Sequence, residues 1–165
     1  MIVTKRLTLK PPSDESIPKV VGWLNDKDIM RYSEQRHKLH TADLQRVYLL
    51  VMAAPPHKYM EIHYGNALIG TISAHVDEYN SVANVGILIG EKKVWGKGFG
   101  TEAWKAFCDH LLKSGIRKIE CGCMGINFGM IHIFRKTGMH HEGSKSGHFL
   151  YGDELVNETM WARFL

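Results

Sequence analysis

The chain has 165 residues, of which 44% are apolar and 23% charged, a size and balance that suit one globular domain around a single core. That composition excludes a disordered chain, a collagen-like fibre and a small disulfide scaffold. Twenty-one Lys and Arg against 17 Asp and Glu leave a formal charge of +4, spread along the chain; this falls short of the dense basic footprint of nucleic-acid binders and suits an anionic small molecule.

The longest unbroken apolar run, Val47 to Ala54, is too short for a bilayer span. The N-terminus passes straight into an alternating pattern with no apolar leader, so no membrane role is expected and the expected location is the cytoplasm. Cysteines stand at 108, 121 and 123, and the last two share one face of any strand that contains them. Buried, reduced thiols are expected, with no disulfide and no metal site.

In chain order, Val3 to Leu9 alternates and predicts a first strand, ended by Pro11-Pro12. Ser13 or Asp14 then caps a helix with Ile17, Val20, Val21 and Leu24 on one face. Asp26 to His40 shows no period. A second helix begins near Thr41 and runs to about Met52, before Pro55-Pro56. Period two takes over in Tyr59–Tyr64, Leu68–Val76 and Val82–Ile89, with a hairpin signal at Gly65-Asn66 and a polar turn at 77–81. The clearest helix follows a glycine-rich loop: Ala103, Trp104, Phe107, Cys108, Leu111 and Leu112 keep helical spacing, and Gly115 stops it. Ile116–Met124 reads as a short buried strand and Phe128–Thr137 as a helix ended by Gly138. The last two strands, His140–Tyr151 and Leu155–Phe164, turn at Gly152-Asp153. The order β-α-α-β-β-β-α-β-α-β-β predicts an α+β fold, one domain over residues 1–165 around a twisted sheet.

The segment Gly90–Thr101 holds glycines at 96, 98 and 100 between a strand and a helix start. Glycine lets the backbone approach a ligand closely, and the free amides and dipole of a helix N-terminus attract anions. A pyrophosphate suits such a loop. The spacing G-x-G-x-G departs from the dinucleotide fingerprint, and Lys97 is misplaced for a Walker loop.

Trp95-Gly-Lys-Gly-Phe-Gly-Thr-Glu-Ala103 resembles the coenzyme A pyrophosphate loop of the GNAT family of N-acetyltransferases, and Asn127-x6-Phe134-Arg-Lys-Thr-Gly138-Met139 resembles that family's second motif. The first form is similar to the branch holding the ribosomal-protein N-terminal acetyltransferases. The resemblance covers the whole chain and implies a mixed, mostly antiparallel sheet with helices on both faces. It also implies a splay between the fourth and fifth strands, Val82–Ile89 and the strand over 118–123. Acetyl-CoA is the implied acetyl donor. Backbone groups of Ile87, Leu88 and Ile89 would then meet the pantetheine arm, and the loop Trp95, Gly96, Lys97, Gly98, Phe99, Gly100 and Thr101 would hold the diphosphate. Asn127, Phe134 and Lys136 complete the implied cofactor set.

Direct acetyl transfer needs a neutral amine, an oxyanion donor and a proton for the leaving thiolate. Phe134 stands where the family commonly has a tyrosine acid, and Asn84 where many members have a glutamate base; neither can exchange a proton. His75, on the strand expected to pair with that of Asn84, and Glu61 one strand further out are the candidate bases, with Asn84 orienting the amine or a water. Glu120 and Cys123 flank the splay. On the acceptor side, the polar segment 29–37 offers Tyr32, Arg36 and His37 for phosphates or sugar hydroxyls, and His148 and Tyr151 lie in the last hairpin. The expected reaction is acetylation of a primary amine on a small molecule, with a nucleotide-linked amino sugar favoured. Protein N-termini, antibiotics, polyamines and a non-catalytic acyl-CoA-binding module are the alternatives. Met160 and Trp161, taken as exposed on the last strand, permit a homodimer.

Overall fold

Period-two patterning builds the strands, and the computed structural model, which describes residues 1–165, joins eight of them in one sheet. They are β1 (Ile2–Val3), β2 (Leu7–Lys10), β3 (Lys58–Tyr64), β4 (Ala67–Asp77), β5 (Val82–Ile89), β6 (Lys118–Met124), β7 (His140–Tyr151) and β8 (Glu154–Phe164). The helices are α1 (Ile17–Leu24), α2 (Ala42–Met52), α3 (Phe99–Lys113) and α4 (Phe128–Lys136). The strand order is β1-β2-β3-β4-β5-β6-β8-β7. All neighbours are antiparallel except β5 and β6. The α+β arrangement expected from the sequence is the one observed.

The single first strand is corrected to two. Thr4 folds the chain back: its N–H donates to the Leu7 carbonyl at 2.9 Å and its Oγ1 accepts from the Leu7 N–H at 2.9 Å. This local side-chain bond makes a tight turn inside an alternating run. Ser13 does not cap α1 through its side chain; a 3-10 turn over Asp14–Ser16 leads into Ile17-Pro18. The second helix begins near Thr41 as expected, and Thr41 caps it, its Oγ1 accepting from the Leu44 N–H at 3.2 Å.

Alternation sorts the sheet into two faces. Leu9, Ile62, Ile72, Ala74, Val85 and Ile119 meet Phe99, Trp104, Phe107, Leu111 and Phe134 of α3 and α4 in the main core. Leu68 and Leu88 point the other way and meet Val20 and Trp23 of α1 in a smaller cluster. Gly90 is obligatory there, since a Cβ would collide with the Trp23 ring. Helices therefore cover both faces. No helix is long and apolar enough to cross a membrane.

The parallel pair sets the site. β5 and β6 pair only at Val82↔Lys118, Ala83↔Ile119 and Asn84↔Glu120. Beyond that point β5 stays with β4 as far as Ile89, and β6 stays with β8 as far as Met124. Each strand follows its antiparallel partner, and a V-shaped gap opens between them.

Candidate active site

A strand directs the N–H and C=O of alternate residues to alternate sides. The Ser81 carbonyl accepts from the Arg117 N–H at 2.9 Å, on the β6 side of β5. The Ile89 carbonyl also points to that side and accepts from Trp95 Nε1 at 2.8 Å. Two-residue periodicity then aims the backbone groups of Ile87 into the gap, where β6 has turned away, together with the carbonyl of Val85, whose N–H belongs to the last parallel pair with Glu120. These are groups that an extended amide-bearing ligand can pair with as a further strand. Of the expected backbone partners, Ile87 is free, Leu88 faces β4, and Ile89 offers only its N–H because Trp95 occupies its carbonyl.

At the wide end of the gap lies the glycine loop. Gly96 (φ +74°) and Gly98 (φ +79°) both take left-handed conformations that side chains resist. Gly98 is the N-cap of α3 and supplies no side-chain acceptor. The Lys97 N–H bonds to the Val94 carbonyl at 3.3 Å, whereas Phe99, Gly100 and Thr101 head the helix with no intrahelical acceptor. Gly100 brings that first turn against the gap: a Cβ would stand 3.2 Å from Ile133 Cδ1 and 3.5 Å from Ile89 Cγ1. Arg6 steadies the loop, donating to the Lys97 carbonyl at 3.0 Å and to Glu102 at 2.6 Å while stacking 4.2 Å over Phe99. The result is a concave set of free N–H groups at a helix N-terminus, an arrangement that can accept an anionic group.

A cleft of about 1370 Å³ joins the loop, the gap and the segment between α1 and α2. Of the residues expected to hold the cofactor, Trp95, Gly96, Gly98, Phe99, Gly100, Thr101, Ile87, Leu88, Ile89 and Asn127 line it. Lys97 and Lys136 are exposed outside it. Phe134 is fully buried, wedged between Trp104 at 5.4 Å and Trp161 at 5.5 Å, so its place is the core and not the cofactor. Trp161 is itself buried, and the exposed apolar pair expected on β8 is not there. Asn127 spends its Oδ1 on the Met130 N–H at 3.1 Å, capping α4.

His75, Asn84 and Cys123 line the cleft. Glu61 does not: its Oε1 accepts from the Ser13 N–H at 2.9 Å and its Oε2 lies 2.8 Å from His63 Nε2, all buried beneath the turn before α1. Tyr32 lines the cleft and stacks near Tyr151 at 5.9 Å. Arg36 instead ties the segment to the last hairpin, donating to the Leu150 carbonyl at 2.8 Å and the Ser33 carbonyl at 2.9 Å. His37 lies outside the lining. The structure adds residues that the sequence reading passed over: Gln45, Tyr48, Tyr59, Thr71 and Ser73 form a polar wall beside His75, and His132 of α4 reaches the cofactor side. Charged residues on the acceptor side balance, Asp28 and Glu34 against Arg31 and Lys38.

Partial burial, then the neighbouring His57, hold the His75 imidazole below the ordinary histidine pKa. Its ring is therefore neutral at pH 7. Cys108 is buried and its thiol is pushed up by burial to about 12; Cys121 and Cys123 are half-buried, and burial raises them as well. None is an activated nucleophile.

Comparison with known proteins places this geometry. No protein of curated function matches the chain in sequence. Among solved structures, a GNAT-family acetyltransferase from Bacillus anthracis is 23% identical over 99% of this chain and 97% of its own, with a TM-score of 0.84. A spermidine N-acetyltransferase from Vibrio cholerae, solved with CoA and spermine, is 18% identical over 98% and 96%, with a TM-score of 0.86. The ribosomal L7/L12 alpha-N-protein acetyltransferase RimL, solved with coenzyme A, is 17% identical over 99% and 96%, with a TM-score of 0.86. These likenesses establish the shared fold. The model of the acetyltransferase (GNAT) domain matches residues 6–140, and the chain belongs to the GNAT family of acetyltransferases.

Proposed function

We propose that the protein transfers acetyl directly from acetyl-CoA to the primary amine of a small molecule. One observation carries the reading: free amides at the α3 N-terminus stand at the mouth of a gap lined by the free backbone groups of Ile87 and the carbonyl of Val85. The loop takes the diphosphate and the gap takes the pantetheine amides. The thioester then comes to rest where β5 and β6 separate, near Asn84 and Cys123.

Neutral His75 is the base, and Asn84, its cross-strand neighbour, orients the amine. No tyrosine serves as acid at position 134, so the thiolate takes its proton from the tetrahedral intermediate's own nitrogen, as the geometry of a held reactant pair allows. The balanced acceptor lining argues against a polycation and for a hydroxylated amine of low charge. An amino sugar fits that description. Arg31 and Lys38, not Arg36 and His37, are the cations in place for a linked phosphate.

The test is release of CoA thiol from acetyl-CoA in the presence of a panel of amines: amino sugars and their nucleotide conjugates, spermidine, aminoglycosides and N-terminal peptides. Turnover is expected with amino sugars and not with spermidine. Turnover with spermidine alone would reverse the charge argument, and CoA binding without turnover on any amine would leave a binding module.

A further inference from the structure

Behind the cleft, where β5 and β6 are still paired, a second recess of about 570 Å³ is lined by Asp77, Asn80, Val82, Arg117, Lys118 and Glu120. His75 and Asn84 line both spaces, and His75 is the one titratable side chain common to the two walls. A cross-strand row holds it there. His75 faces Asn84 on β5, and Asn84 faces Glu120 in the last β5–β6 pair. On the other side, the β3–β4 register at Lys58↔Ala74 carries His57 opposite His75, with the rings 5.3 Å apart at 61°. His57 Nδ1 accepts from the Val76 N–H at 3.1 Å, which places that ring's proton on Nε2.

Resting on the acetyltransferase reading, we propose that His75 is a gate through which the surplus proton of the reaction leaves the cleft for the recess, and that His57 positions its ring. The balance requires such an exit. An acceptor ammonium and acetyl-CoA give the amide, the free thiol of CoA and one proton. The N–C bond forms and the C–S bond breaks; of the two protons the nitrogen loses, one goes to sulfur and the other must reach solvent. His75 accepts that proton from the ammonium on the cleft side and releases it to water on the recess side.

The groups around the gate suit this direction. His57, from the segment before β3, and partial burial disfavour a lasting charge on His75. Asp77 of β4 and Glu120 of β6 face the recess as carboxylates. The cations of that wall are partnered: Lys118 Nζ meets Glu142 at 2.8 Å and Glu120 at 4.0 Å, and Arg117 Nε donates to the Asn80 carbonyl within the recess at 2.7 Å.

Imidazole nitrogen NMR on the CoA-saturated protein tests the gate without any acceptor. Expected are a His57 proton on Nε2, a His75 midpoint below the ordinary histidine value, and a rise of that midpoint in His57→Phe. With an amine that turns over, His75→Ala is expected to slow thiol release about 10- to 100-fold, with CoA binding unchanged and with partial rescue by added imidazole. Val82→Trp, which fills the recess from its wall, is expected to abolish the rescue. A His75 midpoint at or above the ordinary value, or one unmoved by His57→Phe, overturns the gate while leaving the cofactor reading standing. Failure of the wild-type chain to bind CoA defeats the cofactor reading instead.

Discussion

Glu102 ties the first turn of α3 to the N-terminal hairpin. Its Oε1 accepts from Thr4 Oγ1 at 2.7 Å and from the Arg6 N–H at 2.9 Å, and its Oε2 accepts from Arg6 Nε at 2.6 Å. Burial pushes this carboxyl up, but the bonds from Thr4 and Arg6 outweigh it and hold the pKa below the usual carboxylate value. Charge-assisted bonds are worth about 1.5–3 kcal/mol each when buried, and the Arg6 side is partly exposed, so Glu102→Gln is expected to cost about 1–2 kcal/mol in total. A carboxyl with a lowered folded-state pKa stabilises above its unfolded value and loses that contribution as pH falls. Urea denaturation should therefore show a gap between wild type and variant at pH 7 that shrinks toward roughly pH 3. A gap that is constant with pH would assign the loss to packing. Residues of this kind mark the limit of sequence reading. Glu61, Arg36 and Phe134 have the right chemistry for a site, yet a buried histidine, a distant carbonyl and two tryptophans claim them. Those partners lie two to 114 positions away in the chain, and no local pattern announces which of them a side chain will meet.

At the scale of elements, the legible features were those that local physics dictates. Alternation and helical spacing located nearly every strand and helix, and three glycines before an amphipathic run located the turn that opens α3. The Thr4 turn and the Trp95 bond to Ile89 were not legible, because a single side-chain bond to backbone leaves period and composition unchanged. The splay was expected only from the resemblance; its physical origin is visible in the registers, where each strand is held by its antiparallel partner past the last parallel pair. This gap makes a prediction for the cysteines. Cys121 and Cys123 lie on β6 at its wall, while Cys108 is sealed inside α3. A thiol reagent should label the β6 pair slowly in the folded protein, CoA should slow that further, and Cys108 should react only on unfolding. Labelling at β6 that is indifferent to CoA would place the pantetheine elsewhere.

Across the whole molecule, the two hydrophobic clusters hold the sheet on both faces around the gap. The main core of α3 and α4 anchors β2 to β6 from one face, and Trp23 of α1, packed over Gly90, fixes the end of β5 from the other. The glycine loop can therefore be altered without removing core contacts. Gly98 has a positive φ, and the atom nearest to a Cβ there is Arg6 Nη2 at 3.5 Å. A valine at this position distorts the turn and displaces the amides that head α3. The most direct measurement is calorimetric titration of CoA into the wild-type chain and into Gly98→Val, with circular dichroism confirming that both are folded. The expected result is saturable binding at one site in the wild type, lost in the variant. Wild-type protein that is folded yet gives no heat with CoA or acetyl-CoA, or a variant that binds as tightly as wild type, would contradict the assignment of the loop and gap to the cofactor.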